Sequence, residues 1–269
     1  MMKERAMDLL KTTREKKSLI HHITNTVTIN DCANVTLAAG ASPVMASAPE
    51  ESGNMTLLAD ALVLNIGTLN ENIFSAMIKA GRAANDKGIP VILDPVGVGA
   101  TAFRTEKAKS LLQLINISIV RGNISEIASL LDVKAKTKGV DAGTVSIFPS
   151  ELAKQAAKQW KSIVVISGKQ DVISDGTSVF HVENGSSLLQ SVTGTGCMSA
   201  SLIGCMAGAG NDLLLAAIVG TSMMGIAGEI AEGTGEKKGL GTFKVHLMDA
   251  ISLLTPETWK ERAKIYESY

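Results

Sequence analysis

Aromatic residues are scarce in this chain, at 3% of 269 residues. That leaves few platforms on which nucleic-acid bases could stack. An excess of charge is missing too, because 26 Lys and Arg balance 26 Asp and Glu. A neutral chain has no electrostatic reason to hold nucleic acid or an anionic membrane surface, and neither is expected as a partner. Cysteine is limited to Cys32, Cys197 and Cys205. An odd number, with no secretory signal core after Lys3, Glu4 and Arg5, predicts a reducing, cytoplasmic location. Cys197 and Cys205 fall on one predicted helix, roughly 12 Å apart at 1.5 Å per residue, too far for a disulfide.

Uninterrupted apolar runs of membrane-spanning length are also lacking. Between Gly194 and Gly228 the only charge is Asp212, but Gly208 to Asp212 divides the stretch. Each piece is expected to fall short of the ~20 residues a span needs, so both read as buried core helices. Familiar ligand motifs are absent as well. Gly168-Lys169 lacks the preceding glycine and the following Ser/Thr of a P-loop, and Gly194 and Gly196 are followed by Ser199 where a dinucleotide fingerprint needs glycine. His21 and His22 are adjacent on a predicted strand, so they point to opposite faces and make a poor metal pair. No Cys and His spacing suggests zinc.

What is present is 45% hydrophobic residues, enough to bury a large core. Apolar runs without polar alternation predict strands covered on both faces, at Leu19–Ile23, Ala61–Ile66, Val91–Leu93, Ile117–Val120 and Ile163–Ile166, with a shorter one at Pro43–Ala46. Helical periods lie between them, at Thr28–Ala39, Glu71–Lys87, Glu106–Gln113, Ser125–Leu131 and Glu151–Trp160. The alternation predicts an α/β fold with a mostly parallel sheet. Val172–Val182 reads as a hairpin turning at Asp175-Gly176. Helices follow at Cys197–Ala207, Leu213–Glu232 and Phe243–Leu254, then a charged terminal helix from Pro256. No linker divides the chain, so one domain spanning residues 1–269 is expected.

The most informative run is Gly194-Thr195-Gly196-Cys197. Two glycines opening a helix leave backbone N–H groups aimed outward, an anion site. Cys197 then falls in the first helical turn, where the helix dipole favours a thiolate. Cys205, two turns inside, and Cys32 read as small core residues. Ligands of open α/β sheets bind beyond the carboxyl ends of the strands. There the sequence offers Asp94 for a divalent cation or as a turn cap, Arg121 as a forked phosphate donor, and Asn123 with Glu126 as metal-water ligands or a capping box. Ser167-Gly168 provides a hydroxyl and an N–H for a phosphate, or a simple strand-end turn.

Asp94-Pro-Val-Gly, Asn123-x-x-Glu126, Ser167-Gly168 and Gly194-Thr-Gly-Cys197, in this order and spacing, resemble the ribokinase-like superfamily over essentially the whole chain. Within it, the set is similar to the hydroxyethylthiazole kinases, because most of the superfamily has aspartate where Cys197 stands. His22–Asn25 and Pro43–Ala46 resemble that family's thiazole-binding parts, while Leu240 stands where its proline is expected. The resemblance implies a three-layer α/β/α sandwich that phosphorylates a thiazole alcohol with ATP and Mg²⁺. It implies that Met45 and Gly194 contact the alcohol, with Asn25 and Gly67 nearby. Arg121 and Ser167, with Asn123 and Gly168, would serve ATP, and Asp94 and Glu126 the metal. Gly194, Thr195, Gly196 and Cys197 would form the anion hole, with Cys197 where the superfamily's base stands. A homotrimer with sites between subunits is implied too. The competing expectations are a hydroxymethylpyrimidine-type kinase, an ATP-dependent dehydratase of hydrated nicotinamide nucleotides, or a non-catalytic thiazole- or nucleotide-binding protein. Cys197 argues against the first two, and the set of metal and phosphate residues against the third.

Overall fold

The structure, a computed structural model, describes residues 2–133, 148–233 and 239–268. Its strands are β1 (Leu19–Ile23), β2 (Ser42–Val44), β3 (Ala61–Asn65), β4 (Val91–Asp94), β5 (Ile119–Asn123), β6 (Ile163–Ser167), β7 (Asp171–Ser174), β8 (Val179–Val182) and β9 (Ile265–Ser268). They form one sheet in the order β2-β1-β3-β4-β5-β6-β7-β8-β9. The first six are parallel and β7 to β9 antiparallel. Strand order reverses at β1, between β2 and β3, the place where open α/β sheets form a crevice.

The described helices are α1 (Met2–Lys16), α2 (Ile29–Ala38), α3 (Ser52–Leu58), α4 (Glu71–Lys87), α5 (Ala102–Leu114), α6 (Ile124–Leu130), α7 (Pro149–Trp160), α8 (Thr195–Ala209), α9 (Leu213–Glu232), α10 (Leu240–Leu253) and α11 (Pro256–Arg262). Both sheet faces are covered. Ala61 and Val63 of β3 turn to the core made with α1, α2, α8, α9 and α10. Leu62 and Leu64 turn to the core made with α4 to α7. This is the expected three-layer α/β/α sandwich, and it explains why β3 is apolar at every position but its last.

Several boundaries differ from the sequence reading. β2 is Ser42–Val44, which leaves Met45 and Ala46 beyond its carboxyl end. β5 begins at Ile119 and runs on to Asn123, because Arg121, Gly122 and Asn123 pair with Val165, Ile166 and Ser167. The helix read from Glu106 starts at Ala102, since the Thr101 side chain caps it by accepting from the Arg104 N–H. Helices α1 and α3 were not read at all. The terminal helix stops at Arg262, and the chain then adds β9 to the sheet edge. Tyr266 of β9 stacks on His181 with ring centroids 4.8 Å apart, and buried Trp259 anchors α11 by donating to Ser222 Oγ.

Helix α9 has 20 residues, so its length and composition suffice to cross a membrane, contrary to the expected shorter piece. Its apolar window is 78% buried inside the protein, where it packs against α8 and α10. The apolar character is accounted for by that position at the centre of a helical layer.

Candidate active site

Helix α8 positions the site. It crosses the face of β1, β3 and β4, so closely that a Cβ on Gly204 would lie 2.6 Å from Val63 Cγ2. Its N-cap is Gly194, at φ 90°, a left-handed conformation that side chains avoid. A Cβ there would also lie 2.8 Å from Thr28. Thr195, Gly196 and Cys197 are the first three helical residues, and such N–H groups have no partner within a helix. The Thr195 hydroxyl donates to Leu189 O at 2.8 Å. That bond ties the turn to the preceding 3₁₀ segment, Ser187–Ser191.

Around this turn lie two halves of one rim. In the first, at the strand-order reversal, Asn25, Asn65, Gly67, Asp94 and Cys197 meet. Asn65 Nδ2 donates to Asp94 Oδ2 at 2.6 Å and to Cys197 Sγ at 3.2 Å. Asn25 Nδ2 donates to Asn65 Oδ1 at 3.0 Å and to Cys197 Sγ at 3.4 Å. The Gly67 N–H also donates to Asn65 Oδ1. Asp94 is buried, and its Oδ1 has no hydrogen-bond partner. Burial pushes its carboxyl up to about 6, against the pull of the Arg121 guanidinium.

Cys197 departs from the expected thiolate. It sits at the helix start as anticipated, but burial, then the Asp94 charge, push its thiol above the ordinary range. Hydrogen bonds from Thr28, Asn25 and Asn65 pull the other way and are outweighed. The neutral thiol is therefore favoured at neutral pH. Cys205, fully buried, is pushed up to about 12 and Cys32 to about 11, as befits core residues.

The second half is an open cleft of about 690 Å³, lined by Arg121, Asn123, Ser167, Gly168, Thr195 and Gly196 at one end and by Asn184, Thr221, Met224 and Gly225 at the other. Among the described residues, Arg121 makes no hydrogen bond or ion pair, and its Nε is buried without a partner. A Cβ on Gly196 would lie 2.8 Å from Arg121 Nη1, so glycine is what lets the guanidinium lie against the helix start. Asn123 and Glu126 form the capping box of α6. Glu126 Oε2 accepts from the Asn123 N–H and Oε1 from the Gly97 N–H, which ties the loop after Asp94 to the helix. Ser167 Oγ faces Gly122 O at 3.4 Å. The Gly168 N–H is already engaged, donating to Asp171 Oδ1 at 2.9 Å. Asp171 lines the same cleft, is pushed up to about 6 by burial, and feels the Arg121 charge.

The structure thus gathers most of the candidate residues around the α8 turn, with Glu126 one step behind, bound to the Asn123 and Gly97 N–H groups, and Met45 apart from them. Met45 follows the outermost strand and is outside the cleft lining. Sequence reasoning missed Asn65, which it buried in an apolar strand running to Ile66; as a polar strand-end residue beside β4 it belonged among the rim candidates. It also missed Asp171 and Thr221, which carry no motif. The histidine pair behaves as expected. His21 bonds Thr56 and Ala46 O, while His22 faces Thr36.

Comparison with known proteins shows the family. The sequence pattern of the Hydroxyethylthiazole kinase family matches residues 10–257. A hydroxyethylthiazole kinase of Alkaliphilus oremlandii is 48% identical over 99% of both chains. One of Methanosarcina mazei is 50% identical over 96% of this chain and 98% of its own. The structure of the Pyrococcus horikoshii hydroxyethylthiazole kinase superposes with a TM-score of 0.88 at 37% identity, covering 99% of this chain and 100% of that one. The Staphylococcus aureus pyridoxal kinase shares the fold, with a TM-score of 0.61 at 13% identity over 93% of this chain and 99% of its own. By pattern, sequence and fold together, this chain belongs to the hydroxyethylthiazole kinase family.

Proposed function

We propose that this chain, as one kinase domain, transfers the γ-phosphoryl group of ATP to the primary alcohol of 4-methyl-5-(2-hydroxyethyl)thiazole. One observation carries the reading: the α8 start brings Cys197 to the Asn65–Asp94 pair and Gly196 to the Arg121 guanidinium. An acceptor hydroxyl and a polyphosphate chain can therefore meet on one rim. The α8 N–H groups face the charge that builds on the transferring group, and Arg121 offers its fork of donors to the same oxygens. Asn25, Gly67 and Gly194 frame the acceptor end. Asn123, Ser167 and Gly168 border the nucleotide end.

Among the described residues, no group of three or more His, Cys, Asp and Glu could hold a metal unaided. Asp94 Oδ1, buried and unpartnered, still fits one ligand position, and Glu126 offers the lone pairs its two N–H bonds leave free. Nucleotide oxygens and water would complete the set, the usual way in which Mg²⁺ is held. When bound, Mg²⁺ neutralises charge on the phosphates. Since phosphoryl transfer is mainly positioning and electrostatics, Cys197, held neutral at rest, contributes modestly beside Asp94 and the anion hole.

Met45 at the outer strand end supports an assembly in which a neighbouring chain completes the acceptor pocket. Val27 and Leu37 beside that edge are 66% and 57% exposed, apolar surface suited to a homotrimer contact. The unpaired thiols suit a cytoplasmic enzyme. The test is an ADP-release assay with the thiazole alcohol and Mg-ATP. Turnover above an ATP-only blank is expected, and its absence overturns the reading.

A further inference from the structure

Asn65 links the residues that the proposed reaction uses while having no part in that reaction as described above. It ends β3 at the strand-order reversal and is 2% exposed. Both hydrogens of its amide are committed, one to Asp94 Oδ2 at 2.6 Å and one to Cys197 Sγ at 3.2 Å. Its oxygen accepts from Asn25 Nδ2 and from the Gly67 N–H, at 3.0 and 2.9 Å. This network assigns the amide orientation, because flipping it would set its oxygen against the Asp94 carboxylate and its NH₂ against a backbone N–H. Asn25 is locked in turn, accepting from the N–H groups of Val27 and Thr28 and from the Thr28 hydroxyl. The result is directional. With Asp94 Oδ2 taken, Oδ1 is the oxygen left buried without a partner.

We propose that Asn65 is a positioning residue, whose amide aims the free oxygen of Asp94 at the divalent cation and seats the Cys197 sulfur beside the acceptor hydroxyl. The inference rests on the kinase reading and adds to it a residue that touches neither substrate. A hydrogen-bonded partner behind a metal ligand typically contributes about 10- to 100-fold in metal affinity or activity.

The experiment uses the full chain with Asn65→Leu, which keeps the volume but cannot donate, and Asn65→Ser, which keeps one donor. Calorimetry measures the Kd of ADP with and without Mg²⁺, and the Kd of the thiazole alcohol. The expected result is that Asn65→Leu raises the Mg²⁺ concentration for half-saturation in the presence of ADP by about tenfold or more. ADP without Mg²⁺ and the thiazole alcohol should each bind within about threefold of wild type. Asn65→Ser should fall between, and it carries the test by itself if the leucine variant does not fold. In the ADP-release assay kcat should fall while both KM values hold. The proposal is overturned if the Mg²⁺ dependence of ADP binding is unchanged, or if all three ligands weaken together. A wild-type chain that couples Mg²⁺ to ADP but turns over no thiazole alcohol overturns the substrate reading alone, because the metal measurement reads Asn65 without turnover.

Discussion

The two halves of the rim are built on opposite principles. At the proposed acceptor end, Asn25, Asn65, Gly67, Asp94 and Cys197 form a network in which each amide hydrogen and oxygen is used. One carboxylate oxygen is left over. At the nucleotide end, Arg121 stands without a hydrogen bond among the described residues, beside an open cleft. The first half is organised before any ligand arrives. The second leaves its strongest donor uncommitted among the described residues, available on the proposed reading to a polyphosphate. The contrast follows from chemistry: a hydroxyl needs an exact place, whereas a fork of N–H donors gains most by meeting its charge fresh.

Substitutions in the two halves should therefore fail differently. The largest effect is expected at Asp94. Asp94→Asn preserves the shape of the network and removes its charge, so kcat in the ADP-release assay should fall by about 10²- to 10³-fold, the scale seen when one group that stabilises the transition state is lost. A fall of less than tenfold would show that the acceptor half works by shape alone. Acid sensitivity is the next measure of that half's rigidity. Burial pushes His22, on β1 beneath the network, down to about 4. Below about pH 6.5 the unfolded chain binds this proton and the native one does not, so His22 by itself subtracts stability from there toward pH 4. Asp94 and Asp171, raised to about 6, bind their protons first in the native chain and add stability over the same range. The His22 share, roughly 3 kcal/mol, is read by urea unfolding as a difference. His22→Gln should gain stability relative to wild type as the pH falls from 6.5 to 4, and an unchanged difference would refute it.

Arg121→Ala should strike the open half, raising the KM for ATP by about 10- to 100-fold, as expected for a lost charge-assisted hydrogen bond. The KM for the thiazole alcohol should move little, and equal changes in both would dissolve the distinction between halves. The smallest effect is expected from the sulfur. Cys197→Ser should lower kcat by about tenfold or less, below the full worth of a general base, and Cys205→Ser should barely act. Equal effects of the two would reduce Cys197 to packing.

Much of this site was legible in the sequence because parallel topology puts all strand ends on one rim. Asp94, Arg121, Asn123 and Ser167 follow from that rule alone, and the paired glycines at Gly194 and Gly196 announce the anion turn. Asn65 escaped because Ile66 after it extends the apolar run and hides the polar strand end. β9 escaped because four residues after a charged helix carry no strand signal until β8 offers an edge. The protonation of Cys197 is hidden from the sequence for a different reason. A helix dipole can be inferred from a chain position, but burial and the nearness of Asp94 come from residues 103 positions away in sequence, whose distance only folding sets.

The sequence by itself determined the layered α/β plan, the glycine-opened helix start and the kinase family, since these depend on periodicity, glycine geometry and short motifs that act locally. Tertiary structure alone decided which hydrogens reach Cys197, which Asp94 oxygen stays free and why Arg121 has no partner among the described residues. Those outcomes depend on desolvation and on distances of a few ångströms between strands, and neither exists until the sheet has formed.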